Sequence, residues 1–314
     1  MTVDLPEQTP AAGLPLADEV EASAADGPGD TAGRPARLVL RTFVENKLAV
    51  LGMLLFVGMV LFCFGGPLVY STDQVHTDLA NQTLPPGAGH PLGTDQVGYD
   101  ELGRLMLGGQ TSLEIALGAA IVAIVVGVLW GTIAGYCGGL VDSLMMRIVD
   151  SVMSIPALFL LMFLATVFRP SVTMLILVLG LLAWLAPARL VRGETLSLRT
   201  RDYIQAVRVM GGRGPRVIFR HLVPNVIGTI VVNATFQVAD AILAIAAISF
   251  LGLGIPPPAA NWGGMLSDGL NYTYSGFWWL IYPSGIAIII TVLSFNLIGD
   301  GLRDAVGLRA QRRL

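Results

Sequence analysis

The sequence predicts an all-α integral membrane protein with six transmembrane helices. Three observations carry that expectation. Of 314 residues, 54% are hydrophobic and only 13% charged, with a mean hydropathy of +0.69, whereas soluble domains carry about 25% charged residues. Apolar runs near the ~20 residues that cross a ~30 Å hydrocarbon core recur along the chain. The basic residues are sorted between the intervening loops rather than scattered.

The amino end, Met1 to Gly33, holds Asp4, Glu7, Asp18, Glu19, Glu21, Asp26 and Asp30 and no Lys or Arg. A secretory signal opens with a basic stretch followed by an apolar one; this stretch is acidic and rich in Ala, Gly and Pro. Residues 1–37 are therefore expected to be a disordered acidic tail, followed by a membrane domain over 38–310 and a short tail at 311–314. The six spans are expected at Leu48–Tyr70, Ile115–Tyr136, Ser151–Phe168, Ser171–Ala188, Val226–Leu253 and Phe277–Ile298. Pro156 should kink the third, and Arg169-Pro170 leaves room only for a tight hairpin between the third and fourth. Arg147 and Asp150 have the spacing of a local ion pair. Gly127, Gly131 and Gly135, with Gly118, should let helices approach closely. Trp262, Trp278 and Trp279 read as an interfacial aromatic belt.

Orientation follows from the Lys/Arg bias. With both termini in the cytoplasm, seventeen of the nineteen basic residues lie inside, and only Arg104 and Arg169 lie outside. Cys63 and Cys137 read as apolar fillers, and His76, His90 and His221 are too dispersed for a metal site. Among intramembrane polar residues, Asp240 with Gln237 nearly a turn before it is the candidate for a translocation pathway; a helix–helix contact is the other reading of Asp240.

The basic stretch Gln205–Asn225 reads as two short helices about a glycine turn. Asp202 can cap a helix from Tyr203. Ile204, Val207 and Met210 form a stripe, and Gly211-Gly212 stops the helix. Pro215 suits the first turn of the next helix, and Val217, Ile218 and Leu222 give it an apolar face. Pro224 is expected to break it before the fifth span. The stripe has no evident core of its own, so it is expected to lie on lipid or in a partner's groove.

These residues resemble the "EAA" loop of ABC-importer permeases, with Gln205-Ala206-Val207, then Gly211, then His221-Leu222-Val223-Pro224 at the family's spacing. Gln205 replaces the glutamate of that motif and Val207 its second alanine. The Pro224-Asn225 ending is similar to the peptide-importer branch. His90–Leu113 resembles the outer segment of dipeptide and oligopeptide permeases, with Tyr99 and Gln110 where arginines are usual. Ile248–Gly263 and Phe295–Ala305 resemble two further segments of the same family, in the same order. With its amino tail and single span before the Gly-Thr-Asp segment, the chain looks like the second, C-type inner-membrane permease subunit of the peptide/nickel family.

That resemblance implies a type I ABC-importer permease fold in a bacterial plasma (inner) membrane, multi-pass, with both termini cytoplasmic. It implies a coupling loop over 203–225, in which Gln205, Ala206, Val207, Met210, Gly211, Val217, Ile218, His221, Leu222, Pro224 and Asn225 engage an ATPase. Gly93, Thr94, Asp95, Tyr99 and Asp100 would contact an extracytoplasmic solute-binding protein. The other partners implied are a homologous second permease subunit, two cytoplasmic ATPase subunits and lipid, with no nucleic acid. No cofactor is expected in this chain: ATP and Mg would be bound by partner subunits, because Lys47 is the only lysine and a phosphate-binding Gly-x-x-x-x-Gly-Lys-Ser/Thr loop is impossible around it. The chain itself is expected to be non-catalytic. Dipeptides or oligopeptides are the expected solutes. Nickel complexes, haem or another small solute on the same architecture is the alternative, and an ion-coupled secondary transporter or a non-transporting membrane scaffold are further ones.

Overall fold

The computed structural model describes residues 34–311, so most of the acidic tail expected over 1–37 and nearly all of the tail expected over 311–314 lie outside the described residues. The described part is helical, with no strand. A helix α1 (Arg34–Glu45) precedes the first span and begins inside the expected tail; the sequence reading placed none there. Asn46 ends it and caps α2 (Lys47–Val69), accepting from the backbone N–H of Leu48 and Ala49 at 3.1 and 3.2 Å. α2 passes through a π turn at Leu61–Gly65. Gln110 Nε2 donates to the Cys63 carbonyl of that turn at 2.7 Å, which gives a physical use to the glutamine that stands in place of arginine.

An outer segment then leads to α3 (Glu101–Cys137), which is 37 residues long. At 1.5 Å per residue it is about 55 Å, so it starts fourteen residues before the expected second span. Its beginning is polar, and hydropathy registers only the apolar part. Two bent pairs follow. α4 (Gly139–Met153) meets α5 (Ala157–Val167) at 79°, and α6 (Val172–Ala183) meets α7 (Leu185–Leu198) at 42°. The expected third span is thus broken at Pro156, which begins α5 rather than kinking a continuous helix. The short α8 (Asp202–Val209) precedes α9 (Gly214–Phe250), α10 (Trp262–Leu270) and α11 (Tyr282–Gln311). α9 starts well before the span expected at Val226–Leu253 and stops just short of its end, and α11 starts after Phe277 and runs well past Ile298.

The glycines fix the packing. A side chain at Gly127 would meet Pro187, one at Gly131 would meet Val191 and one at Gly135 would meet Thr195, so α3 and α7 run side by side in the same direction. Gly52 lies against Ser294 and Leu297, and Gly301 against Ala49, so α2 and α11 are antiparallel. Gly228 near the start of α9 meets Val306 near the end of α11, and Gly214 meets Tyr136 near the end of α3. One face therefore collects both ends of the described chain and the segment 199–222; we call it the terminal face. The opposite, distal face carries the outer segment and α10. The main core lies between α3, α6, α9 and α11 around Leu113, Ile115, Leu175, Ile242, Ile245 and Ile248.

Two further expectations change. Asp150 pairs not with Arg147 but with Arg189 across to α7, at 2.5 Å, and Asp142 takes both nitrogens of Arg192, one at 2.7 Å. The α4–α7 approach offers better geometry than one turn of a single helix. Trp262 and Trp279 are buried, their indole N–H groups donating to the Leu105 and Thr94 carbonyls at 3.0 and 3.3 Å. Only Trp278 is exposed, so the aromatic belt reduces to one member.

Candidate functional site

The segment at the terminal face is anchored from within. Ile204, Val217, Ile218 and Leu222 are buried together, with Tyr136, Leu198 and Val207 packed against them. This corrects the expectation that the stripe lacks a core: the end of α3 and the end of α7 supply one. Asp202 is the first residue of α8 rather than its cap. Gly211 adopts φ +81°, and the Gly212 N–H reaches the Val207 carbonyl at 2.9 Å, a left-handed helix end of the kind glycine favours. Arg208 lies over the Tyr136 ring at 4.5 Å and ties α8 to α3.

Pro224 does not break the helix. A π turn at Ile218–Leu222 precedes it, and the helix continues to Phe250. Pro224 sits in the first turn after the π turn, where its missing N–H is tolerated, and Asn225 Nδ2 donates to the nearby His221 carbonyl at 2.6 Å. Gln205 is exposed, and its amide turns back to the Thr200 carbonyl at 3.0 Å. The residues of this stretch thus divide into two sets. Val217, Ile218 and Leu222 face inward, with Val207 and His221 partly so. Gln205, Ala206, Met210, Gly211, Pro224 and Asn225 face outward. The outward set gains Val209 (88% exposed) and Phe219 (62%) beside Met210 (78%). Sequence reasoning missed Val209 and Phe219 because it followed the inward stripe. Their signal was an apolar residue off that stripe, in a segment crowded with arginine.

The distal face is built the other way round. Gly93 takes φ +74°, with Trp279 packed against it. Thr94 Oγ1 donates to the Asn81 carbonyl at 2.6 Å and accepts from Leu84 N–H at 2.8 Å. Asp95 accepts from the Val97 and Tyr99 N–H groups at 2.9 Å and lies 3.4 Å from Arg104. Tyr99 donates to the Val75 carbonyl at 3.1 Å, under the Arg104 guanidinium. Asp100 caps α3 through the Gly103 N–H at 2.8 Å and also holds Tyr70 Oη at 2.8 Å and His90 Nδ1 at 2.9 Å. Thr94, Asp95, Tyr99 and Asp100 are each 5% exposed or less. Their side chains are closed off from a partner in this conformation, so the expectation of direct contact gives way to one of shaping the segment. Burial pushes Asp95 above the ordinary carboxylate range, against the lowering pull of its backbone bonds and Arg104. Tyr70 is pushed up to about 12, first by desolvation and then by Asp100.

The pathway candidates separate. Gln237 is buried, its amide donating to the Ala183 carbonyl at 2.7 Å, where the break between α6 and α7 frees that group. Asp240 is exposed, on a side of α9 shared with Leu243 and Phe250. Among the described residues no group of three or more His, Cys, Asp or Glu could hold a metal.

Comparison with known proteins agrees with this geometry. Residues 127–312 match the family described as binding-protein-dependent transport system inner membrane component. Residues 34–86 match the N-terminal TM domain of oligopeptide transport permease C. The chain is 39% identical to the oligopeptide transport system permease protein OppC of Bacillus subtilis, over 84% of this chain and 86% of that protein. It is 41% identical to the protein of the same name in Escherichia coli, over 85% and 88%, and 37% identical to the dipeptide transport system permease protein DppC of Bacillus subtilis, over 87% and 85%.

Proposed function

The chain belongs to the binding-protein-dependent transport system inner membrane components, and from that premise we propose that it forms half of the membrane pathway of an ATP-driven importer of dipeptides or oligopeptides. The relatives named for oligopeptide and dipeptide transport support that solute class. In this reading the other half is a homologous permease chain, ATP and Mg sit on two separate ATPase subunits, and a solute-binding protein delivers the peptide at the distal face. The chain makes and breaks no covalent bond. The terminal face is cytoplasmic.

One observation carries the coupling. α9 is a single helix of 37 residues from Gly214 to Phe250, about 55 Å long. Its first turns are clamped to the short α8 by the buried Ile204, Val217, Ile218 and Leu222. Val209, Met210 and Phe219 stand exposed beside that clamp. A subunit that grips those apolar side chains and moves on ATP binding moves the start of α9. A continuous helix passes the displacement to the span that carries Asp240. Alternation between inward- and outward-open states follows from such tilting.

Asp240 adds a second support. A carboxylate exposed within an apolar span is costly in lipid, so that side of α9 is expected to face water or the second permease chain. In that position it offers a counter-charge to the ammonium group of a peptide. The test is ATP-dependent uptake of labelled dipeptides into membranes holding this chain with its neighbouring gene products. Met210→Glu is expected to abolish uptake while leaving the chain assembled and folded; uptake equal to wild type would remove the coupling role.

A further inference from the structure

We propose that Glu101 is a proton-binding residue that latches the outer segment onto α3 and α10, and that the latch loosens when the proton leaves. This goes beyond the transport reading and does not depend on it.

Glu101 stands in the first turn of α3 and is 2% exposed. The groups that act on its carboxylate are neighbouring charges rather than hydrogen-bond donors. It lines a cavity of about 10 Å³ with Asp95 and Gln96 of the outer segment, Arg104, and Met265 and Asp268 of α10. That space holds a single water at most, too little for a hydrated metal ion. Three elements meet there, and Glu101 is the most deeply buried of the three carboxylates that line the space.

The charges around it are unbalanced. Asp95, Asp100, Asp268 and Arg104 are the charged groups that face it. Arg104 is the only cation of the four, and it is already engaged. Its Nε lies 3.4 Å from Asp95, its Nη1 3.4 Å from the Pro258 carbonyl, and its guanidinium covers the Tyr99 ring. Asp100 is satisfied by Gly103, Tyr70 and His90. Asp268 stands at the exposed rim. Burial also raises Asp95 above the ordinary carboxylate range, so it does not give up its claim on a shared proton readily. Tyr99 sharpens the imbalance, because it occupies the position where the resemblance leads one to expect a second arginine.

A buried carboxylate with no donor is costly when ionised and far less so when neutral. The neutral acid also gains an O–H that can donate to a neighbouring carboxylate, so the proton joins the elements instead of driving them apart. The closed segment therefore holds one proton more than the opened one. By linkage its closure is favoured at low pH and weakens as the pH rises.

The test is hydrogen exchange of the full chain in lipid nanodiscs, expressed with its neighbouring gene products and corrected for the intrinsic pH dependence of exchange. The amides of residues 93–104 and 262–270 are followed. In wild type, protection is expected to fall about tenfold or more between about pH 4 and about pH 8, since a shift of one pKa unit or more in linkage is lost from the ordinary carboxyl range upward. Glu101→Gln keeps the shape without the charge and should hold protection near its acid value throughout. Tyr99→Arg supplies a second guanidinium and should flatten the fall. A flat wild-type profile overturns the proposal, as does an unchanged fall in Glu101→Gln, or protection lost at every pH in that variant. If Glu101→Gln does not fold, an unchanged slope in Tyr99→Arg overturns it instead. None of these outcomes touches the uptake assay, so the two readings stand or fall separately.

Discussion

The two faces of this molecule solve opposite problems. The outer segment turns polar side chains inward: Thr94, Asp95, Tyr99 and Asp100 are buried and bonded to their own loop. The terminal segment turns apolar side chains outward: Val209, Met210 and Phe219 remain bare above the buried Ile204, Val217, Ile218 and Leu222. A mostly irregular segment cannot satisfy all its backbone groups by itself, so its polar side chains are drawn in to complete its own hydrogen bonds. A pair of helices satisfies its backbone internally and leaves side chains free for something else. The distal face is closed by itself, and the terminal face is left incomplete.

Substitutions can break this contrast, and the largest effect is expected on the closed face. Asp100→Ala removes the cap of α3 and leaves Tyr70 and His90 without their shared acceptor. The combined loss should be about 3–4 kcal/mol, from one cap and two half-buried partners. Thermal unfolding of the purified chain reads it, and a loss below about 1 kcal/mol would mean that the network does not hold the segment. On the terminal face the largest effect should come from beneath the surface. Leu222→Ala empties a fully buried position and should cost about 3 kcal/mol. It should also raise proteolysis near Gly211, where the turn stands exposed.

The same contrast explains what could be read in advance. Hydropathy marked the apolar stretches of α2, α3, α9 and α11, because burial in lipid demands composition rather than geometry, but it read one continuous helix, kinked at Pro156, where α4 and α5 meet at a break. It missed α1, the polar first turns of α3 and the continuation of α11, because helices that leave the bilayer carry no apolar signature. Pro224 was misread as a stop, since no local rule announces that a π turn and the amide of Asn225 will accommodate a proline. The outer residues were singled out as partner contacts, but a string of polar letters does not say which way the side chains point. Trp262 and Trp279 were misplaced for the same reason: an indole reads alike at an interface and in a core that supplies a carbonyl.

A milder substitution separates surface from support. Met210→Ser should leave stability within about 0.5 kcal/mol, as for an exposed site away from caps and cores. It should nevertheless lower ATP-dependent uptake about tenfold, equivalent to about 1.4 kcal/mol of lost contact. Equal losses in stability and uptake would place Met210 with Leu222, and the terminal face would then be as self-contained as the distal one.

The smallest effect is expected where the terminal face already has a partner of its own. Asp150 and Arg189 form an ion pair between α4 and α7, with side chains 58% and 46% exposed. Water competes for both charges, so Asp150→Ala should cost below about 1 kcal/mol. Asp142 grips Arg192 with both oxygens, and its side chain is only 12% exposed, so Asp142→Ala should cost more, about 2 kcal/mol, because a bidentate and more enclosed pair is lost. A double-mutant cycle on each pair measures the difference. Equal couplings would show that enclosure does not decide the strength of these bridges. A stronger Asp142–Arg192 coupling would show that the tie from α4 to α7 at Asp142 outweighs the one at Asp150, which lies nearer the 79° bend between α4 and α5.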